Sequence, residues 1–254
     1  MENITVKDFL KKLGELETSF NIYVPSLGKN TEAKPLTLRQ QKNIISTAVG
    51  GARGTLEFTR TINNAILENV KVKNLFPYDR VPIVVQLRKH ALGDAAYTDS
   101  YQVASLEDVV KSCKSEKVDF PTKQDVAVDS LKLKLKIPTL KEETKIIDKC
   151  IDELERLDPE DASETVGTVF VFELIKYIDT VAIEGDTVTF NDLKIQDRVN
   201  IIEQLPLNVY NELVSFLTKM GIYESNILTV KDDQYISIDA SFFEGNISDT
   251  SVSA

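Results

Sequence analysis

A single histidine, His90, and two cysteines, Cys113 and Cys150, are this chain's only imidazole and thiol groups. General-base work by His90 would need a carboxylate to orient the ring and a nucleophile within reach. No nucleophile elbow accompanies it. It stands three residues after Leu87 and beside Lys89, which reads as a surface histidine. The cysteines form no CxxC pair and no zinc spacing. They read as a reduced intracellular pair, because disulfide scaffolds are Cys-dense and secreted. Carboxylates number 40, so neighbours such as Glu142 and Glu143, or Asp232 and Asp233, arise by chance. A glycosidase pair is defined by distance across a cleft, not by adjacency. Asp158, Glu160, Asp161 and Glu164 lack the spaced ligands and central glycine of an EF-hand loop, and read as a solvated acidic break.

Gly50-Gly51-Ala52-Arg53-Gly54 is the only glycine-rich loop. It follows a helical pattern rather than a buried strand and lacks the Gly-Lys-Ser/Thr ending of a phosphate cradle. A helix-to-helix connection is the simpler reading. The expectation is therefore a non-enzyme with no catalytic residue, no cofactor and no metal site. One basic feature stands out. Leu131 to Ile137 alternates, with Lys132, Lys134 and Lys136 on one face and four apolar residues on the other. Such a stripe either docks an acidic partner or keeps an edge strand from pairing with other chains.

The whole chain has 254 residues and a formal net charge of -10. That balance disfavours nucleic acid, whose phosphates need a basic surface. The most apolar run, Val166 to Ile175, is broken by Glu173 and is shorter than a membrane span of roughly 18 residues. Met1 to Leu13 carries Lys7, Asp8, Lys11 and Lys12 and has no signal-peptide core, so a cytoplasmic setting is expected.

The elements that would hold these residues follow from period and punctuation. Val6 to Leu16 reads as a short amphipathic helix. Phe20 to Pro25 and Thr31 to Leu36 read as strands about a turn at Leu27 to Asn30. Thr37 and Gln40 form a capping box that opens a helix to about Ala48. Phe58, Ile62, Ala65 and Ile66 mark the core face of a second helix. A third runs from Val81 to Leu92, with Pro82 in its first turn and Gly93 at its end. Tyr97 to Ile137 reads as β-rich and loop-rich. A second capping box, Thr139 with Glu142, opens a helix faced by Ile147, Ile151 and Leu154. Glu164 to Ile183 reads as a helix apolar nearly all round, hence the most buried one. Val188 and Phe190 fall in a short link. Ile195, Val199 and Ile202 mark a helix closed by Pro206. Val209, Leu213, Phe216 and Leu217 mark another, ended by Gly221. Ile227 to Val230 and Tyr235 to Ile238 flank a hairpin turn.

The sum is an α+β chain, mostly helical, with an N-terminal β-hairpin, a β-rich middle insert and a C-terminal β-hairpin. Its parts are residues 1–95, the insert 96–138, a helical part 139–245 and a flexible tail 246–254.

Several segments, taken in order, carry a family resemblance. Tyr23-Val24-Pro25-Ser26-Leu27-Gly28-Lys29 precedes Lys34-Pro35-Leu36-Thr37 and Gln40-Gln41-Lys42. Val81 to Gly93 contains Leu87-Arg88. Leu133-Lys134-Leu135-Lys136-Ile137-Pro138-Thr139-Leu140 forms a strand-to-helix junction. Phe172 to Ile178, Val181 to Gly185, Leu205-Pro206-Leu207 and Phe216-Leu217 follow, and Ile236-Ser237-Ile238 leads to Phe242-Phe243. From Phe20 to Phe243 this order resembles the baseplate hub family of T-even-type tailed bacteriophages.

The resemblance implies a non-catalytic structural or assembly protein of the tail baseplate hub. It would bind other tail proteins, whether hub, tape-measure or spike components, in the host cytoplasm during assembly and then in the virion tail. With the charge and the lack of a long apolar run, no nucleic acid and no membrane partner is expected, and a homo-oligomer stays possible. The contact residues the resemblance favours are Tyr23, Pro25 and Leu27 of the first hairpin and Lys132, Lys134 and Lys136 of the lysine strand. The alternatives are a transient assembly chaperone absent from the mature virion and, from another class, a carboxylate-based hydrolase. Family members often carry CxxC pairs in the insert and the closing hairpin. Here only Cys113 and Lys231-Asp232-Asp233-Gln234 stand there, so no structural zinc is expected.

Overall fold

A computed structural model describes Thr5, residues 18–157 and residues 162–244. The helix expected over Val6 to Leu16 and the tail 246–254 lie outside the described residues. Strands β1 (Phe20–Val24) and β2 (Lys29–Ala33) pair antiparallel, with Phe20 opposite Ala33 and Val24 opposite Lys29. A 3-10 turn over Pro25–Leu27 joins them and closes on Gly28 at φ +59°, a conformation that glycine adopts without Cβ strain.

Helix α1 (Leu38–Thr47) begins at the expected capping box. The Gln40 N–H donates to Thr37 Oγ1, and the Thr37 N–H donates to Gln40 Oε1. Helix α2 (Gly51–Asn69) follows at once and buries Ile62, Ala65 and Ile66. The joint needs its glycines: Gly51 sits at φ +63°, and a Cβ on Gly50 would lie 2.9 Å from the Gly54 Cα. Helix α3 (Pro77–Leu92) starts four residues earlier than expected. Pro77 supplies a helical φ at the first position, and Asp79 Oδ2 accepts the Phe76 N–H at 2.9 Å. Pro82 therefore lies inside the helix. Gly93 ends it at φ +92° and ψ 178°, a positive-φ conformation open to glycine though not the left-handed helical cap.

The middle segment holds the short hairpin β3 (Ala95–Tyr97) and β4 (Val103–Ser105). It then holds a helix that the β-rich reading missed, α4 (Leu106–Ser115), which buries Leu106, Val109, Val110 and Cys113 at i, i+3, i+4 and i+7. Strands β5 (Lys123–Val128) and β6 (Leu131–Lys136) form the next hairpin. Helix α5 (Leu140–Leu157) opens at the second capping box, with the Thr139 N–H donating to Glu142 Oε2 and the Glu142 N–H to Thr139 Oγ1.

Helix α6 (Ala162–Ile175) ends eight residues before the expected Ile183. The β-branched stretch after it is strand β7 (Ile178–Ile183), and the expected link is strand β8 (Asp186–Thr189). Glu184 and Gly185 between them both have positive φ, the requirement of a two-residue I′ turn. One antiparallel sheet results, in the order β5-β6-β7-β8. Leu131 sits opposite Ile183, and Lys134 opposite Thr180. The helical reading failed because residues 178–183 gain more from pairing with β6 than from another helical turn and a half.

Helix α7 (Ile195–Glu203) precedes α8 (Leu207–Leu228). The latter passes Gly221 without stopping, because Tyr223, Ile227 and Leu228 continue its buried stripe. A lone glycine costs only about 1 kcal/mol there. The closing hairpin is short, a Thr229–Tyr235 bridge around a 3-10 turn at Lys231–Asp233. Helix α9 (Ala240–Glu244) then buries Phe242 and Phe243. The architecture is α+β, mainly helical with small antiparallel sheets.

Candidate functional site

The first hairpin is fastened to α3 through its backbone. The Gln86 side chain accepts the Tyr23 N–H at 2.7 Å and donates to the Tyr23 carbonyl at 2.8 Å. Asp79 Oδ1 accepts the Ser26 N–H at 2.8 Å. Burial pushes the Asp79 carboxyl above its ordinary value, and the N–H groups of Phe76 and Ser26 work against that rise. Ile22, Val24 and Ala33 face the core. Of the three contact residues expected here, Tyr23 and Pro25 are half-buried and Leu27 is exposed. The hairpin thus presents its tip as a rigid feature.

The lysine strand occupies a different place from the one its pattern suggests. β6 lies between β5 and β7, so in the folded chain it is not an edge. Its leucines enter the core, while Lys132 and Lys134 face solvent. Lys136 differs, because its Nζ donates to Glu142 Oε1 at 3.0 Å and braces the start of α5. Lys134 stands opposite Asp125 of β5. A shallow cavity of about 340 Å³ opens beside it, lined by Lys123, Asp125 and Asp179 among others. The hairpin packs on α3 and β5 packs on α8, and these two helices in turn pack on each other.

The histidine and the two cysteines lie in different settings. The His90 ring stacks on Phe20 at 3.8 Å, at the rim of an open cavity of about 480 Å³. Lys89 in that cavity is committed to Glu107 at 2.5 Å and to Asp94 at 3.6 Å. Cys113 and Cys150 are free thiols, both buried. Burial pushes each up to about 12, so neither forms much thiolate near neutral pH. Among the described residues, no three His, Cys, Asp or Glu side chains gather as a metal site would require. Among those residues, no helix is long and apolar enough to cross a membrane.

A buried ionic cluster went unread in the sequence. Glu143 of α5 is fully enclosed. Its Oε2 accepts from Arg80 and, at 2.9 Å, from Asn63 Nδ2; its Oε1 accepts from Lys176 Nζ at 3.2 Å. Arg80 Nε also donates to Asn63 Oδ1 at 2.9 Å. Burial alone would raise the Glu143 carboxyl, but Arg80 and Lys176 outweigh it and bring it down to about 2. Burial likewise opposes the charge on Lys176, and Glu143 and Glu173 hold its pKa above the ordinary lysine value. With both oxygens of Glu143 engaged and sealed from solvent, the cluster locks α2, α3, α5 and the end of α6 together. The adjacency of Glu142 and Glu143 concealed two roles, a helix cap and a core charge.

Helix α6 corrects a further expectation. It packs on α2, α5 and α7, yet Val166 and Phe170 remain exposed. It is apolar all round without being buried all round.

A family model described as T4 bacteriophage base plate protein matches residues 16–229. No curated protein and no solved structure matches.

Proposed function

This chain belongs to the T4 bacteriophage base plate protein family, and we propose that it is a non-catalytic structural component of the central hub. The observation that carries this reading is the extent of the match, which runs from before β1 to Thr229. Its work is surface complementarity with other tail proteins during assembly. The exposed tip at Leu27, flanked by Tyr23 and Pro25, is one contact. Lys132 and Lys134, carried on a firm sheet in a chain of net charge -10, are the other. Lys136 contributes indirectly by holding Glu142. The buried thiols and the stacked His90 support a role without catalysis.

Quantitative mass spectrometry of purified particles, beside the lysate of infected cells, tests the proposal. Peptides of this chain at a fixed ratio to other baseplate proteins in the particle are the expected result. Abundance in the lysate with absence from the particle would overturn it and favour a transient assembly chaperone.

A further inference from the structure

The cavity of about 480 Å³ beside the Phe20–His90 stack is bounded by the first hairpin, α3 and its end, and α4. Its two acids are already engaged. Asp94 accepts the Ser105 hydroxyl at 2.6 Å and the Glu107 N–H at 2.8 Å. Glu107 holds the Lys89 ammonium at 2.5 Å, and Asp94 stands 3.6 Å from the same ammonium. Lys89 is therefore neutralised within the wall.

The polar groups left over are donors. Lys114 lines the cavity one turn after Val110 on α4, and among the described residues nothing pairs with its ammonium. Lys111, on the same helix but outside the cavity, is instead bound to Asp108 at 3.0 Å. The side-chain amides of Asn21 and Asn30 also line the cavity and hold no hydrogen bond among the described residues. The His90 ring stacks by its face and leaves its nitrogens at the rim. A concavity with a few free donors and some apolar wall suits a small ligand, and an anionic oxygen meets such donors with charge-assisted bonds. Lys114 supplies one unbalanced positive charge, while Asp94 and Glu107 stand in the wall. A dianion such as phosphate would meet those carboxylates with twice the repulsion, whereas a single carboxylate is balanced by Lys114.

We propose that this cavity binds a small organic monocarboxylate. Lys114 and the amides of Asn21 and Asn30 hold the carboxylate, and Val110 with the Phe20–His90 stack gives apolar surface to the carbon body behind it. The C-terminus of a chain and the side chain of Glu or Asp both present this chemistry. The assignment does not rest on the baseplate reading.

The test uses the full chain, whose only imidazole is His90, so its ring signals in NMR report this cavity alone. The probes are N-acetylleucine, its neutral twin N-acetylleucinamide, the α-amide of N-acetylglutamate, and inorganic phosphate, all at one buffered pH. A carboxylate should shift the His90 signals saturably and bind at least about fivefold more tightly than the neutral twin. Tighter binding of N-acetylleucine supports a chain terminus as the source, and tighter binding of the glutamate derivative supports an acidic side chain. Lys114→Gln, and separately Asn30→Asp, should weaken binding about fivefold while the melting temperature holds. Lys111→Gln should leave binding unchanged. Unmoved His90 signals, equal binding of the two leucine probes, undiminished binding by Lys114→Gln, or phosphate bound more tightly than either carboxylate would each overturn the proposal. None of these outcomes bears on whether the chain is found in the particle, so the two readings fail separately.

Discussion

Helices α5 and α6 are consecutive in the chain and pack on each other, yet they dispose of their apolar residues in opposite ways. On α5, Leu140, Ile147, Cys150, Ile151 and Leu154 form one buried stripe, and the charges lie mostly on the other side. On α6 apolar residues point in every direction. Val169, Phe172, Leu174 and Ile175 are buried, while Val166 and Phe170 are not. Burial is therefore set by how many neighbours surround a helix, not by how apolar it is. The stripe of α5 matches the neighbours it has. The excess on α6 exceeds them.

That contrast can be broken or sharpened by experiment. The largest effect should come from the one charge that α5 sends inward. Glu143→Ala leaves Arg80 and Lys176 without their shared carboxylate, and should cost about 3–5 kcal/mol in urea unfolding. A loss under about 1 kcal/mol would mean that the cluster relaxes freely. Next come the two sides of α6. Phe172→Ala should cost about 3 kcal/mol, because it opens a cavity in the core. Phe170→Ala should change stability by less than about 0.5 kcal/mol. Similar values for the pair would erase the distinction between a covered and an open side.

Acid should act through the same cluster. The Glu143 carboxyl lies near 2 in the folded chain, against an ordinary value of 4.5. A depressed carboxyl stabilises the fold above its unfolded value, so this contribution is complete above pH 4.5. It is lost as pH falls from there toward 2. Unfolding midpoints followed over that window should drop more steeply for the wild-type chain than for Glu143→Ala. The smallest effect belongs to the solvent face of the sheet. Lys132→Ser with Lys134→Ser should leave stability within about 0.5 kcal/mol, as judged by thermal melts. A larger loss would mean that these lysines serve the fold rather than a partner.

The features legible in the sequence were the local ones. Both capping boxes and Gly93 depend on residues a few positions apart, and they formed where the pattern placed them; the first hairpin formed too, but its turn closes earlier, at Pro25–Gly28, and its return strand is Lys29–Ala33 rather than Thr31 to Leu36. The end of α6 was not legible, because residues 176–183 are apolar enough for either a helix or a strand. What decides is β6, about 40 residues away in the chain. Helix α4 was hidden by Val109 and Val110, β-branched residues that also suit a strand. The Glu143 cluster joins Asn63, Arg80 and Lys176, which no local spacing connects. The candidate surfaces divided in the same way. The lysine alternation was plain, but its central place in the sheet was not. The open side of α6 could not be seen at all, because exposure depends on what fails to pack against it.

The order of the sheet has a consequence for synthesis. β6 is complete long before β7, with α5 and α6 made in between. At roughly 5–20 residues per second, about 40 residues take on the order of 2–8 s to translate. Until β7 arrives, β6 can pair only with β5, and its other side has no strand partner. Alternating lysines deter pairing with another chain at such an edge.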